Sequence, residues 1–133
     1  MQRRGFAKSA LLSVTMAAAA PVLGRTAAAD PNQNVVFTEN DPGHWANVAA
    51  KHVPEASFMN GTLTVKTPHP QSEAHYIVSH TVILEDGTFV GRKTFSYKEE
   101  PTSDHKLPAG YHGKVTVTST CNLHDYWAKT ISV

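Results

Sequence analysis

Cys121 is the only cysteine among 133 residues, and it stands three positions before a histidine in the run Cys121-Asn122-Leu123-His124. A lone cysteine cannot close an intrachain disulfide, whereas a thiolate is a soft ligand for transition metals. The chain also holds eight histidines. Three of them lie in two short motifs upstream. One is Lys51-His52-Val53-Pro54. The other is His69-Pro70, four residues ahead of His75-Tyr76-Ile77. Taken singly, each residue has an ordinary structural explanation: a loop histidine, a turn histidine between prolines, a small buried thiol. Taken together, His52, His69, His75, His124 and Cys121 offer five donors of the kind that bind a transition metal. A structural zinc site closes with four ligands, so five donors argue for a centre that does chemistry.

The elements that must position these residues read as strands. Thr62–Lys66 alternates, and 76–84 is a long β-branched run. Glu85-Asp86-Gly87-Thr88 is a turn of the Asp-Gly hairpin kind, with 88–97 as the return strand. Residues 101–113, with two prolines and two glycines, read as a long loop. Lys114–Cys121 has period-two alternation that puts Val115, Val117, Ser119 and Cys121 on one face, so the thiol leaves the strand toward the core. Residues 126–133 read as a final strand. Residues 30–60 show little periodicity beyond a short strand near Val35-Val36-Phe37, and no segment has helical periodicity. Short strands joined by turns over about a hundred residues predict an all-β, antiparallel β-sandwich.

The first thirty residues read as an address. Arg3-Arg4-Gly5-Phe6-Ala7-Lys8 has the form of a twin-arginine export signal, followed by a modest apolar stretch from Ala10 to Leu23 and a small-residue cleavage site at Ala27-Ala28-Ala29. The stretch is too short and alanine-rich for a membrane span, so none is expected after cleavage. The expected organisation is a signal over 1–29 and one domain over 30–133, working in the periplasm. Removal of the signal takes four of the twelve basic residues and no acidic one. That leaves eight bases against eleven acids, a net charge of −3. Without a basic patch, nucleic acid is excluded as a partner.

The three motifs, in this order and spanning roughly residues 45–130, resemble those of the superoxide reductases, the desulfoferrodoxin and neelaredoxin proteins. The resemblance implies an immunoglobulin-like sandwich with one mononuclear non-haem iron. Four histidines would be equatorial, by position His52, His69, His75 and His124, with Cys121 axial and the sixth position open when the iron is ferrous. It implies reduction of superoxide to hydrogen peroxide, with electrons from an external donor that the sequence does not identify; a homo-oligomer is compatible with it. Lys51 takes the place of a catalytic lysine that draws superoxide in by its charge. Two positions depart from the family pattern. Glutamate often precedes the lysine, and here Ala50 stands there. The strand after His75 reads Val78-Ser79-His80 instead of a bulkier, aromatic stretch. His44, His80, His105 and His112 match no family ligand, and His80 is expected to be a hydrogen-bonded, partly buried histidine. Two other readings of the donor set stay open: an exported copper electron carrier on a cupredoxin-like sandwich, and a non-catalytic accessory or structural zinc domain. Blue-copper sites usually add a weak axial methionine after the last histidine, and no methionine follows His124.

Overall fold

In the computed structural model, residues 30–133 are described; the expected signal over 1–29 lies outside them. Eight strands form two sheets. They are β1 (Val36–Phe37), β2 (Glu55–Met59), β3 (Thr62–Lys66), β4 (Ile77–Leu84), β5 (Phe89–Thr94), β6 (Thr102–Lys106), β7 (Lys114–Cys121) and β8 (Asp125–Ser132). The larger sheet has the order β1-β8-β7-β4-β5 and the smaller β2-β3-β6. All pairings are antiparallel except that of β1 with β8, which is parallel. Among the described residues no helix is long and apolar enough to cross a membrane.

The alternation of β7 is realised in full. Val115, Val117, Ser119 and Cys121 are buried, and the residues between them are half-buried or exposed. β3 follows the same rule with Leu63 and Val65 inward. These four apolar side chains join Val82, Leu84 and Leu107 in the main core between the sheets. A second cluster, Phe37, Val53 and Trp127, fills the end of the sandwich under the metal-binding motifs. The β4–β5 hairpin turns at Gly87, whose φ of 88° suits glycine.

Three elements differ from the expectation. Residues 102–106, read as loop, form β6, which pairs with β3 across its whole length. Its inward residues are Ser103 and His105; a strand whose buried side is polar carries no hydrophobic alternation to detect. Glu55–Met59 is also a strand, paired with β3 through a two-residue turn at Asn60-Gly61 with φ of 49° and 79°. Two successive positive φ angles are the mark of the type I′ hairpin that Asn-Gly favours. As an edge strand with most side chains exposed, β2 shows little pattern of its own. Finally, Ala49–His52 forms one helical turn, α1. It stops where it does because Pro54 disfavours helical backbone at Val53, which is extended at φ −64°, ψ 122°.

Candidate metal centre

The five predicted ligands come from four separate places and meet at one end of the sandwich. His52 ends α1, and the following Val53-Pro54 buries beneath it. His69 sits on the arm leaving β3, between two prolines that fix φ at 68 and 70 and disfavour helical backbone at Thr67 and His69. His75 lies two residues before the first residue of β4, and Cys121 ends β7. His124 lies in the tight turn to β8, where Asp125 takes a φ of 63°. Lys51 is exposed on α1 beside a depression of about 360 Å³ whose walls include Asn47, Ala50, His52, His69 and His75.

The donor atoms converge. One ligand atom from each of His52, His69, His75 and Cys121 lies within 4.8 Å of the others. His124 joins them through Nδ1, 3.1 Å from His52 Nε2, 3.0 Å from His75 Nε2 and 3.7 Å from Cys121 Sγ. His69 Nε2 is 3.0 Å from His75 Nε2. Three consecutive edges of an imidazole ring of donors therefore measure 3.0, 3.0 and 3.1 Å. A square whose corners lie about 2.1 Å from its centre, an ordinary metal–imidazole distance, has edges of about 3.0 Å. The set fits a single metal ion with four nitrogens around it and a sulfur close by.

The protonation states support the same conclusion. His52 Nδ1 is 2.8 Å from the Val48 carbonyl oxygen, which can only accept. The proton is therefore on Nδ1, and Nε2 presents a bare lone pair to the cluster. His69 Nδ1 faces the amide oxygen of Gln71 at 3.1 Å, and that oxygen is identified by the Ile77 N–H that also donates to it. Nε2 of His69 is likewise bare. Lone pairs 3 Å apart repel unless a cation sits among them. Burial pushes the His52 imidazole down to about 4, and burial with neighbouring histidines lowers His69 and His75 as well. Burial pushes the Cys121 thiol up, while the backbone N–H groups of Leu123 and His124 act in the opposite direction. A bound cation would overcome that burial penalty and hold the sulfur as thiolate.

Several further residues position the ligands; Asn122 and Trp127 belong to the motif around Cys121 and His124, whereas Gln71 and Trp45 carried no signal of this role in the sequence. The side chain of Asn122 accepts from the Tyr76 N–H and donates to the Ala74 carbonyl, each at 3.0 Å, so it pins both neighbours of His75 to the Cys121 loop. Gln71 fixes His69 as described. Trp127 is fully buried and donates its indole N–H to the His124 carbonyl at 2.8 Å. Trp45 packs edge-on against the His124 ring at 4.6 Å and donates to Asp125. His44 packs on Trp45 and Phe37, and His80 and His105 are buried in the sandwich. His80 is hydrogen-bonded, as expected, but fully buried instead of partly.

No curated protein matches the chain significantly. Among solved structures, a variant of the superoxide reductase (neelaredoxin) from Ignicoccus hospitalis is 24% identical, with 75% of this chain and 94% of that chain covered and a TM-score of 0.67. The superoxide reductase (1Fe-SOR) from Giardia intestinalis is 22% identical, with 62% and 98% covered and a TM-score of 0.57. A hypothetical protein from Pyrococcus horikoshii is 25% identical, with 74% and 96% covered and a TM-score of 0.58. These likenesses bear on the fold, the expected immunoglobulin-like sandwich. The family model described as desulfoferrodoxin matches residues 37–130. That span runs from β1 into β8 and contains all five converging donors, and the chain belongs to the desulfoferrodoxin family.

Proposed function

We propose that the protein is a superoxide reductase, converting superoxide to hydrogen peroxide with one external electron and two protons. The observation that carries the reading is the donor set: four imidazole nitrogens spaced for one ion, one buried thiol beside them, and a depression at its mouth bearing a lysine. Membership of the family and the printed names of two solved relatives support it. We assign a single iron to His52, His69, His75, His124 and Cys121. When bound, iron supplies one-electron redox chemistry, and a thiolate ligand favours donation of the electron.

The remaining chemistry belongs to the chain. Val48 O and Gln71 hold the His52 and His69 rings so that Nε2 faces inward in each. Trp127 and Val53 close the floor against water. Lys51, exposed at the mouth, provides the positive charge that draws an anion toward a domain of net charge −3. Its ammonium group also orders water from which protons reach the product. Ala50 leaves the mouth without the carboxylate common in the family, so water or a small anion has room there. The domain over 30–133 would follow a twin-arginine signal over 1–29 and act in the periplasm, served by an electron donor from outside the chain.

Metal analysis of protein exported by its native host tests this, combined with pulse-radiolysis of the reduced form. One iron per chain is expected, with a visible thiolate-to-metal band that Cys121→Ser removes, and superoxide should oxidise the reduced protein without release of dioxygen. Copper or zinc in place of iron, or a reduced protein inert to superoxide, would overturn the assignment.

A further inference from the structure

Between the apolar core and the metal centre lies a buried polar chain that the ligands themselves do not require. His80, on β4, is fully buried. One ring nitrogen, Nε2, hydrogen-bonds with Thr67 Oγ1 at 2.8 Å, and the other, Nδ1, with Ser103 Oγ at 2.8 Å. Thr67 Oγ1 continues to Ser119 Oγ at 2.8 Å, and Ser103 Oγ to His105 Nε2 at 2.8 Å. All of these side chains are buried, and among the described residues no buried side-chain polar atom lacks a partner. A neutral imidazole with one donor and one acceptor nitrogen satisfies two hydroxyls at once. Burial keeps His80 neutral by pushing its pKa down to about 4.

The two halves of the chain differ in what they touch. Thr67 is the residue from which the His69 arm departs: its carbonyl accepts from the His69 N–H at 2.8 Å, and its own N–H donates to the Pro101 carbonyl at 3.0 Å. Ser119 is two positions before Cys121 on the same face of β7. Thus the Thr67 half joins the arm carrying His69, which leaves the small sheet, to the strand carrying Cys121, which belongs to the large one. The Ser103 half runs to β6 and away from the ligands. Resting on the metal-centre reading above, we propose that His80 is a positioning residue for that centre: through Thr67 and Ser119 it sets the His69 arm against the Cys121 strand across the gap between the sheets. An apolar residue at 80 would pack as well against Phe95, whose ring lies 4.9 Å from His80, yet it could not hold both hydroxyls.

Four single variants of the full chain separate positioning from general stability: His80→Phe, His80→Gln, Thr67→Val and Ser103→Ala. Thr67→Val and Ser103→Ala each remove two hydrogen bonds, but only the first severs the link to the ligands. The readouts are Zn²⁺ affinity by chelator competition, the Co²⁺ absorption spectrum, and thermal unfolding of the metal-free protein. Removal of an outer partner of a metal site usually costs 10–100-fold in affinity. We expect His80→Phe and Thr67→Val to weaken Zn²⁺ binding about tenfold and shift the Co²⁺ bands. Ser103→Ala should change affinity less than about twofold despite a comparable loss of thermal stability. His80→Gln, which keeps one donor and one acceptor, should restore most of the affinity. Should His80→Phe fail to fold, the near-isosteric Thr67→Val decides. Wild-type affinity and spectra in Thr67→Val, or an equal loss in Ser103→Ala, would overturn the proposal while leaving the metal centre intact. A wild-type protein showing no thiolate band with Co²⁺ would overturn both.

Discussion

Raising the pH should tighten metal binding by a factor set by one proton, and that proton should come from Cys121. The thiol is buried and its pKa is raised above the ordinary value of 9.0. The imidazoles of His52, His69 and His75 are lowered by burial, so they are neutral throughout the window considered. Above about pH 7.5 even an ordinary imidazole has lost its proton. From there upward, one ligand remains to be deprotonated before an ion can enter. At pH 7.5 a thiol of pKa 9.0 or more is ionised in no more than about 3% of molecules. The free energy of forming the thiolate is then at least about 2 kcal/mol, taken from the binding energy. Only the deprotonated thiol binds, so affinity grows as pH rises and falls as pH drops. Between pH 7.5 and 8.5 the apparent Kd for Zn²⁺ or Co²⁺ should fall about tenfold, a slope of one, and binding in weakly buffered solution should release close to one proton per ion. In Cys121→Ser the slope should vanish, since a serine hydroxyl does not ionise in this range, and the remaining histidines should bind more weakly at every pH. A slope near zero in the wild type would mean that the thiol is already ionised or is not a ligand. A slope of two would mean that an imidazole we place as neutral still carries a proton.

Three further outcomes follow from the same geometry. Lys51→Ala should slow the encounter with superoxide roughly two- to tenfold at low ionic strength and flatten its salt dependence, because steering by a surface charge is screened by salt; pulse-radiolysis across a salt series measures both, and equal slopes would remove Lys51 from the mechanism. Ala50→Glu should restore a carboxylate at the mouth, shift the absorption spectrum of the oxidised iron-loaded protein and weaken azide binding about tenfold or more; an unchanged titration would place residue 50 away from the open position. The metal-free protein should lose stability as pH falls from about 6.5 toward 4, because His80 is neutral in the folded chain with a pKa of about 4 and protonates more readily when unfolded. Its share, about 3 kcal/mol when complete, is present in full above the unfolded pKa of 6.5, and urea titrations should show a shallower acid loss in His80→Phe.

Much of the centre was legible because its residues are chemically rare and locally constrained. One thiol, two prolines about His69 and a third two residues beyond His52 narrow both ligand identity and backbone geometry before any fold is known. The strands that hide a hydrophobic face, β3, β4 and β7, were legible for the same reason: burial writes itself as alternation. β6 was not, because its inward side chains are Ser103 and His105 and their burial is made tolerable by hydrogen bonds instead of by apolar character. β2 was not, because an edge strand that buries little has little to reveal. Strand parity also failed locally at the start of β4. There the register of β4 on β7 shifts between Ile77 and Ser79, so Ile77 is buried, Val78 and Ser79 are not, and His80 turns inward again. Strict alternation back from Val82 and Leu84 already sets His80 inward; without the irregularity it is Ile77 that would face the other way, off the side of Cys121.

The same irregularity connects the fold to the site. His75 must reach across to the donors of His69 and His124, which requires the chain before β4 to run close beside the end of β7. Asn122 enforces this with its bonds to Tyr76 and Ala74, and Ile77 pairs with Cys121 at the sheet's end. Three residues after Ile77 the strand must also present His80 to the opposite sheet. A regular strand cannot place Ile77 and His80 on one face, since they are three residues apart and side chains alternate with period two. One extra residue in β4 reconciles the two demands. The irregularity beside the donor cluster thus lets a single strand follow closely on a candidate ligand, His75, and carry as its fourth residue the histidine that ties both sheets together.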